Sequence, residues 1–191
     1  QIYLKPGEEM PVRDLFKSIA IASANDAVTA LAERVAGTEE AFVEKMNAKA
    51  KELGMNDTVF KNPTGLIEEG HLTTPYDMSI IGRHLVQDYP EIIEFSGLYE
   101  DYIRQDTESP FWLVNTNKLL KYVDGVDGLK TGYTQEAGYC LTATANRGEM
   151  RVIAVVMGAS KSDIRNQEVT RLIEYAYGQY ELVQKLEGQK V

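Results

Sequence analysis

The sequence predicts an α+β fold in which helices come first and an antiparallel sheet, covered by a last helix, comes second. Three observations support this prediction. Apolar residues recur at helical spacing through most of the first 90 residues, three apolar runs of strand length follow in the last third, and another helical stripe comes after them. Helices and strands segregated in this way are typical of α+β domains, and 191 residues suffice for one domain with a sizeable core.

Two helices are predicted on either side of a short connection, Ser23-Ala24-Asn25. The first covers residues 10–22, has Pro11 near its start, and carries apolar side chains on one face. The second covers residues 26–36 and stops at Gly37, a residue type suited to a helix C-cap. The connection between them is therefore expected to be tight.

Two further helices have recognisable start signals. Thr38 is a suitable N-cap, and the apolar stripe that follows it ends at Gly54. Thr74 and Pro75 open another helix, which is expected to stop near Pro90. The first half of the chain is thus predicted to be largely helical.

In the second half of the chain, the spacing of apolar residues changes from that of helices to that of strands. Residues 95–111 have the least distinct pattern, and their aromatic and β-branched side chains indicate extended structure. Three strands are predicted over residues 126–131, 139–146 and 150–157. Arg147-Gly148-Glu149 is expected to make the tight turn between the last two strands.

A last helix is predicted after Gly158, with Ser160 or Ser162 as its cap. Its inward-facing residues are expected to be Ile164, Val169, Leu172, Ile173 and Ala176. Cys140, the only cysteine, lies in an apolar run, so we expect a buried strand residue rather than a reactive thiol.

Composition excludes some classes of function. The formal net charge of −9 argues against general nucleic-acid binding, because affinity for phosphates depends on clustered Lys and Arg. No apolar run approaches the ~20 residues that a membrane-spanning helix needs. A single cysteine excludes a disulfide within the chain.

Lys130-Thr131-Gly132, followed by Tyr133, is the most informative stretch of the chain. Side chains alternate between the two faces of a strand, and a glycine lets a ligand approach the backbone closely. An edge strand here could pair with an extended substrate, donate backbone N–H groups, and present an ammonium group and a hydroxyl to an anion. Taken alone, the tripeptide is equally compatible with a solvated lysine before a turn.

Ser23 and Asn25 form a second candidate element. On a tight connection between helices, a hydroxyl can relay a proton and a side-chain amide can hold a substrate amide. Ser and Asn are also ordinary residues at helix ends, so simple capping is the competing interpretation.

Other potential sites are weaker. His71 and His84 lie 13 positions apart without neighbouring metal ligands at suitable spacing, so we interpret both as surface or structural residues and predict no metal or other cofactor. Asp26 is expected to cap its helix, and Asp124 and Asp127 to shape the turn before the Lys-Thr-Gly strand. The glycines of this region lack the ending of a phosphate-binding loop.

Together, Ser-Xaa-Asn and Lys-Thr-Gly are two of three signature elements of penicillin-recognising serine acyl-enzymes. The neighbouring runs are more specific, and they occur in this order: Ile21-Ala22-Ser23-Ala24-Asn25-Asp26-Ala27, Asn62-Pro63-Thr64-Gly65-Leu66, Asn115-Thr116-Asn117-Lys118-Leu119-Leu120 and Gly138-Tyr139-Cys140-Leu141. From about Leu4 to about Tyr180, the chain resembles the D-alanyl-D-alanine carboxypeptidases, the low-molecular-mass penicillin-binding proteins.

The third signature element is missing. The family carries its nucleophile in a Ser-Xaa-Xaa-Lys motif before Ser-Xaa-Asn, and these 191 residues contain no such motif. Thr58-Val59-Phe60-Lys61 has the spacing but a threonine, and it is expected to be a short extended connector. The chain also begins at Gln1. We therefore expect that the segment with the nucleophile was cut off, left out or lost, and that this chain alone is inactive.

The resemblance implies a fold and an organisation. The fold would be that of serine β-lactamases and transpeptidases, a helical lobe beside an antiparallel sheet layered with helices, truncated at its N-terminal side. Residues 1–180 would be a partial catalytic domain, and residues 181–191 the lead-in to a second, β-rich domain. The family acts outside the cytoplasm, so the parent protein would be secreted and associated with the cell envelope.

The resemblance also implies roles. An absent Ser would attack the penultimate D-Ala carbonyl of a peptidoglycan stem peptide, and β-lactams would inhibit it. Ser23 would relay a proton to the leaving amine, with Lys130 tuning it electrostatically. Asn25 would hold the substrate amide, and the backbone N–H of Tyr133 would join the oxyanion hole beside Gly132. Thr131 would bind the terminal carboxylate with help from Arg165, although a surface arginine is the competing interpretation of the latter.

Two other classes of function are considered. A β-lactamase would need a water-activating Glu beside the pocket; Glu68 and Glu69 lack a recognisable setting for it, and Ala24 departs from the Ser-Asp-Asn form. A non-catalytic fragment or interaction module would use an exposed sheet to bind a partner. Because a truncated sheet leaves unpaired edges, we predict that this chain self-associates.

Overall fold

Helices and strands are segregated along the chain. The computed structural model describes residues 1–183, and in this range the helices are α1 Val12–Ala22, α2 Asn25–Ala36, α3 Glu39–Glu52, α4 Pro75–Asp88, α5 Ile93–Ser96, α6 Leu119–Tyr122 and α7 Ser162–Gln179. The strands are β1 Glu100–Ile103, β2 Phe111–Val114, β3 Val126–Thr134, β4 Gly138–Arg147 and β5 Met150–Ala159. The predicted α+β class is confirmed. None of the described helices is long and apolar enough to cross a bilayer.

The first four helices match the predicted ones closely because their end signals are local. Thr38 accepts a hydrogen bond from the Ala41 N–H at 3.1 Å, and Thr74 accepts one from the Asp77 N–H at 3.1 Å. Asp77 is itself buried and accepts a 2.6 Å bond from the Thr58 hydroxyl, which ties the loop before α4 to the helix. These bonds satisfy N–H groups that a helix start leaves without an internal partner.

The indistinct middle segment contains one short helix, α5, and a two-stranded antiparallel hairpin of β1 and β2. In the hairpin Glu100 lies opposite Val114, and Ile103 lies opposite Phe111. Ile103 and Leu113 are fully buried, and they pack with residues of α1 and α2 in one hydrophobic cluster. The predicted extended structure is confirmed for part of this segment, whereas α5 was not predicted.

The sheet of β3, β4 and β5 is antiparallel, in that order, and each of its faces contacts a helix. Leu141, Ala143 and Ala145 alternate along β4 and pack on one face against Val169 and Ile173 of α7. On the other face α4 comes close, because a Cβ at Gly82 would lie only 3.1 Å from the Thr142 methyl group. The sheet that carries β3 therefore lies between α7 and α4.

Two details of α7 differ from the predictions. The N-cap of α7 is Lys161, with no side-chain capping bond, so the predicted serine cap is wrong. The residues that α7 buries are Arg165, Val169 and Ile173, spaced by four, whereas Ile164 and Leu172 are 40% and 45% exposed. Because a long helix on a sheet buries only a narrow stripe, neighbouring apolar residues stay outside it.

Cys140 is a strand residue, as predicted, but it is only half-buried. It lines a cavity beside the sheet, which leaves part of its side chain uncovered. The predicted organisation into domains stays a prediction. Of the proposed lead-in at residues 181–191, residues 184–191 lie outside the described part of the chain.

Candidate active site

Strand β3 presents the Lys-Thr-Gly residues at an open edge. Within residues 1–183, β3 pairs with β4 alone, with Gly132 opposite Cys140 and Tyr133 opposite Tyr139. The other edge leaves backbone N–H and C=O groups free to pair with an extended ligand. An open edge with a cation, a hydroxyl and a glycine in succession is chemically suited to binding a peptide.

A cleft of about 350 Å³ lies beside this strand and brings together most of the predicted site residues. It lies among the α1–α2 connection, the loop before α6, strand β3 and the start of α7. Its lining residues are Ser23, Thr116, Lys118, Thr131, Gly132, Tyr133, Tyr139, Ser162, Arg165 and Asn166. Four segments that are distant in sequence thus meet around Thr131.

Ser23 reaches the cleft through an unusual backbone conformation. It ends α1 with φ 55° and ψ 45°, in the left-handed region that residues other than glycine rarely adopt. Backbone bonds from Ser23 to Ile19 and from Ala24 to Ser18 close the helix end. Within the described chain the Ser23 hydroxyl makes no hydrogen bond, so it does not act as a side-chain cap. A strained backbone with a free hydroxyl is typical of functional positions.

Lys130 does not line this cleft. Its ammonium group donates a 3.0 Å bond to the Thr131 carbonyl oxygen, and burial lowers the pKa of Lys130 to about 8. The residue lines a second, more apolar cavity of about 580 Å³. Lys130 and Ser23 therefore do not line the same cavity, but both cavities are lined by Thr131, Gly132 and Tyr133.

Arg165 is the principal positive group of the cleft. Only 5% of the Arg165 surface is exposed, so the competing interpretation as a surface arginine is wrong. Burial lowers the pKa of its guanidinium. It donates to the Asn166 side-chain oxygen at 2.8 and 3.1 Å and to the Cys140 carbonyl oxygen at 3.4 Å. Within residues 1–183 it forms no ion pair with a carboxylate. A buried guanidinium without a carboxylate partner can attract an anionic ligand.

Asn25 lies elsewhere. It is the first residue of α2 and lines a shallow pocket with Gln1 and Thr29, not the cleft that contains Ser23. The neighbouring Asp26 is not the N-cap that was predicted, because it is the second residue of α2. Burial opposes its ionisation, but hydrogen bonds from the N–H groups of Ile2, Leu4 and Ala27 outweigh burial and lower the pKa of Asp26.

Gly132 and Tyr133 complete the open edge of β3. A Cβ added at Gly132 would lie 3.7 Å from the Cys140 Cβ, an ordinary contact distance. The Tyr133 ring is 59% exposed and stacks on Tyr139, with ring centroids 4.3 Å apart and an angle of 33° between planes. Stacked rings at the cleft mouth provide a flat apolar surface for a ligand.

The sequence did not single out Thr116, Ser162 and Asn166 as cleft residues. Thr116 lies in the Asn-Thr-Asn run, which supports the family resemblance but by itself predicts no role for the threonine. Two asparagines on either side of a threonine were the only signal in the sequence, since asparagine side chains often anchor a loop by hydrogen bonds to the backbone. Asn166 follows Arg165 directly, and no pattern in the sequence showed that its side chain would bind the guanidinium.

The histidines and acidic residues have structural partners. His84 lies 2.8 Å from Asp88 one helical turn later, while His71 accepts a bond from the Lys61 N–H, and burial lowers the pKa of His71. Asp127 pairs with Arg151. Among the described residues there is no group of three or more His, Cys, Asp or Glu side chains that could hold a metal ion.

Comparison with known proteins places this geometry in a family. A family model described as D-alanyl-D-alanine carboxypeptidase matches residues 1–161. The chain is 59% identical over 181 residues to D-alanyl-D-alanine carboxypeptidase DacF of Bacillus subtilis, covering 95% of this chain and 46% of that protein. It is 40% identical to DacC of Escherichia coli, covering 95% of this chain and 44% of the relative. The chain thus spans about half the length of these relatives.

Solved structures are similar in fold. The D-alanyl-D-alanine carboxypeptidase DacD from Francisella tularensis superposes with a TM-score of 0.90 at 31% identity, over 98% of this chain and 57% of that one. Penicillin-binding protein D2 from Listeria monocytogenes, in a cefotaxime-bound form, has a TM-score of 0.79 at 37% identity, over 87% of this chain and 66% of that one. The predicted transpeptidase-type fold is confirmed.

Proposed function

This chain belongs to the D-alanyl-D-alanine carboxypeptidase family, and we propose that the complete protein is a serine-type carboxypeptidase that trims peptidoglycan stem peptides ending in D-Ala-D-Ala. The observation that carries the proposal is the meeting of Ser23, Thr131 and Arg165 in one cleft beside the open edge of β3. That arrangement supplies a hydroxyl for proton transfer and two groups for a carboxylate. In this proposal the chain contributes recognition and proton relay, because no Ser-Xaa-Xaa-Lys occurs in it.

The proposed reaction is an acyl transfer in two steps. A serine from a segment outside these residues attacks the carbonyl carbon of the penultimate D-Ala and forms an ester. The bond to the terminal D-Ala nitrogen breaks, and Ser23 relays a proton to that leaving amine. Water then hydrolyses the ester and regenerates the serine. Lys130, partly buried and with its pKa lowered to about 8, would tune this relay electrostatically from the neighbouring cavity.

Substrate recognition is assigned to the strand and to α7. A peptide extended along β3 would place its terminal carboxylate between the Thr131 hydroxyl and the Arg165 guanidinium. The backbone N–H of Tyr133 would stabilise the developing oxyanion, a contribution worth about 10²–10³ in rate for one donor. In this structure Asn25 lines a separate pocket. Its role in holding a substrate amide therefore stays a prediction.

β-Lactams are the proposed inhibitors of the same cleft. Penicillin-binding protein D2 from Listeria monocytogenes has been solved in cefotaxime-bound and ampicillin-bound forms. Both drugs carry a carboxylate, which Thr131 and Arg165 would bind in this chain as they would bind the substrate. No observation favours the β-lactamase alternative. A substrate in the cell wall also supports the proposal that the complete protein works outside the cytoplasm, in the cell envelope.

Self-association of this chain is a separate proposal. Within residues 1–183, β5 pairs with β4 along one edge only, and its segment of residues 152–157 has neither charge nor proline. An apolar, unprotected edge of this kind pairs readily with another strand. We expect light scattering to detect a dimer or larger species; a monodisperse monomer at all concentrations would contradict this.

Intact-mass spectrometry with benzylpenicillin tests the function. We expect no covalent adduct on this chain alone, because the nucleophile motif is absent from it. The complete protein should gain one penicilloyl group and release D-Ala from N-acetyl-D-Ala-D-Ala, but release nothing from the L-Ala-L-Ala peptide. A complete protein that gains no adduct and releases no D-Ala would contradict the proposal, and an adduct on the isolated chain would show that one of its own residues has become the nucleophile.

A further inference from the structure

Thr116 lies in a loop whose two neighbours are anchored inside the protein. Asn115 and Asn117 are only 4% and 1% exposed, whereas Thr116 between them is exposed and lines the cleft. Buried amides are retained where hydrogen bonds satisfy them, and these are satisfied. The alternation turns the one exposed side chain of the three toward the cleft.

The anchors fix the loop without any contribution from Thr116. The Asn115 amide donates to the carbonyl oxygens of Ser96 and Leu98 at 3.2 and 2.8 Å, and its oxygen accepts from the Asn117 N–H at 2.8 Å. The Asn117 amide donates to the Gly128 carbonyl oxygen of β3 at 3.2 Å. Because the loop is bonded directly to β3, its position relative to that strand is set.

The hydroxyl of Thr116 is hydrogen-bonded to the hydroxyl of Thr131. Each hydroxyl has one proton to donate and can also accept. If Thr131 donated to Thr116, its proton would be unavailable to a ligand. If Thr116 donates to Thr131, the Thr131 proton is free to point into the cleft, where a carboxylate can only accept. An anionic ligand therefore selects the second arrangement, and the two bonds in series strengthen each other.

We propose that Thr116 is a positioning residue that orients the Thr131 hydroxyl toward the carboxylate of the ligand. The inference rests on the proposed function in that Thr131 binds a terminal carboxylate. Its new content is that the selectivity of Thr131 for a carboxylate depends on a second hydroxyl, held by two buried asparagines. Thr116 itself acts through Thr131 and needs no direct contact with the ligand.

The test is a titration of this chain, labelled with ¹⁵N, with N-acetyl-D-Ala-D-Ala and with the C-terminal amide of the same peptide, followed by NMR at the Thr131 and Gly132 amides. The variants are Thr116→Val, which keeps the shape and removes the hydroxyl, Thr116→Ser, which keeps the hydroxyl, and Thr131→Val. Thr107→Val is the matched control, because the Thr107 hydroxyl donates to the Arg104 carbonyl oxygen in the β1–β2 turn, outside the cleft.

We expect the unmodified chain to bind the free carboxylate more tightly than the amide. Thr116→Val should weaken carboxylate binding about 3- to 10-fold, the range for one hydrogen bond, and leave amide binding unchanged. Thr116→Ser and Thr107→Val should behave like the unmodified chain. A double variant that combines Thr116→Val with Thr131→Val should bind no more weakly than Thr131→Val alone, because the two hydroxyls act as one unit.

Three results would overturn the inference: a Thr116→Val chain that binds both ligands normally, one that loses both equally, or additive losses in the double variant. An unmodified chain that does not distinguish carboxylate from amide would overturn it as well. Failure of the proposed function gives a different result. In a further titration, the chain would then bind the L-Ala-L-Ala peptide with the same affinity as the D-Ala-D-Ala peptide, whatever the effect of Thr116→Val.

Discussion

Two arginines that contact the three-stranded sheet, Arg151 on β5 and Arg165 on α7, have opposite surroundings. Arg151, at the end of β5 away from the cleft, makes two 2.8 Å bonds to the Asp127 carboxylate and a third to the Thr144 hydroxyl. Arg165, which lines the cleft, is more deeply buried, yet within residues 1–183 it donates only to an amide oxygen and a backbone carbonyl oxygen. One cation has a carboxylate from its own fold, and the other has none within ion-pair distance among residues 1–183.

The difference separates a structural role from a binding role. Desolvation of a cation is unfavourable, and an ion pair offsets part of this. Selection for stability alone would pair the more deeply buried arginine first. The reverse arrangement supports the proposal that a ligand supplies the carboxylate partner of Arg165.

The largest effect is expected at Arg165. Arg165→Gln should weaken binding of N-acetyl-D-Ala-D-Ala to this chain about 10- to 150-fold, the range for hydrogen bonds to a charged group. The free energy of unfolding should change by less than about 1 kcal/mol, because no ion pair of the fold is lost. Isothermal titration and urea unfolding measure the two quantities. Normal binding by this variant would remove the contrast with Arg151.

The next effect concerns Lys130, a partly buried cation that forms no ion pair with a carboxylate of residues 1–183. Its folded-state pKa of about 8 lies below the usual value of 10.5, so the folded state disfavours the charged form. This penalty is fully present below pH 8 and is relieved as the pH rises from about 8 to 10.5, so stability should increase over that window. Lys130→Met should raise the unfolding free energy at pH 7 by on the order of 1–2 kcal/mol.

Urea unfolding of both chains between pH 7 and pH 10.5 checks this prediction. The advantage of Lys130→Met should shrink toward zero at the upper end. A constant difference across that range would mean that desolvation of the ammonium group is not its cause.

At Arg151 we expect a smaller effect, on stability and not on binding, which is the reverse of the expectation for Arg165. Arg151→Gln should lower the unfolding free energy by about 0.5–1 kcal/mol, because its pair with Asp127 is partly exposed to solvent. Binding of N-acetyl-D-Ala-D-Ala should remain unchanged. The same titration and unfolding experiments apply. A Gln variant at this position that lost binding would place Arg151 in the site and end the distinction between the two arginines.

The smallest effect is expected at Ser23. Since its φ of 55° is unfavourable for any residue but glycine, Ser23→Gly should stabilise the chain by about 0.5 kcal/mol. In the complete protein the same change removes the proposed proton relay, so release of D-Ala should fall. Ser23→Ala separates the two effects, because it lacks the hydroxyl but keeps the strain. Thermal unfolding and D-Ala release are the measurements.

Sequence reasoning succeeded where the signals were local. Thr38 and Thr74 start their helices by bonding to N–H groups three residues away, and the turn around Gly148 joins adjacent strands. The same holds for the class of fold, because periodicity reports which face of each element is buried. These features need only a few consecutive residues to be recognised.

The failures involve partners distant in sequence. The sequence predicts Asp26 as a helix cap because its actual partners, the N–H groups of Ile2 and Leu4, lie 24 and 22 residues away. For Arg165 a surface position stayed open as the competing interpretation, because nothing nearby in sequence shows that β4 covers it. Thr116 was not recognised because its partner, Thr131, is 15 residues away across a loop. Only the folded chain shows these contacts.

Gly132 has a consequence for how the site could be altered. Its backbone does not require glycine, and a methyl group would meet the neighbouring strand at 3.7 Å, so the fold would tolerate Gly132→Ala. A library of variants sorted for folding or solubility would accept alanine here and record the position as neutral. The same residue lines both cavities, so a selection for ligand capture would reject it. Running the two selections in parallel would therefore identify this position as one where only the ligand enforces glycine.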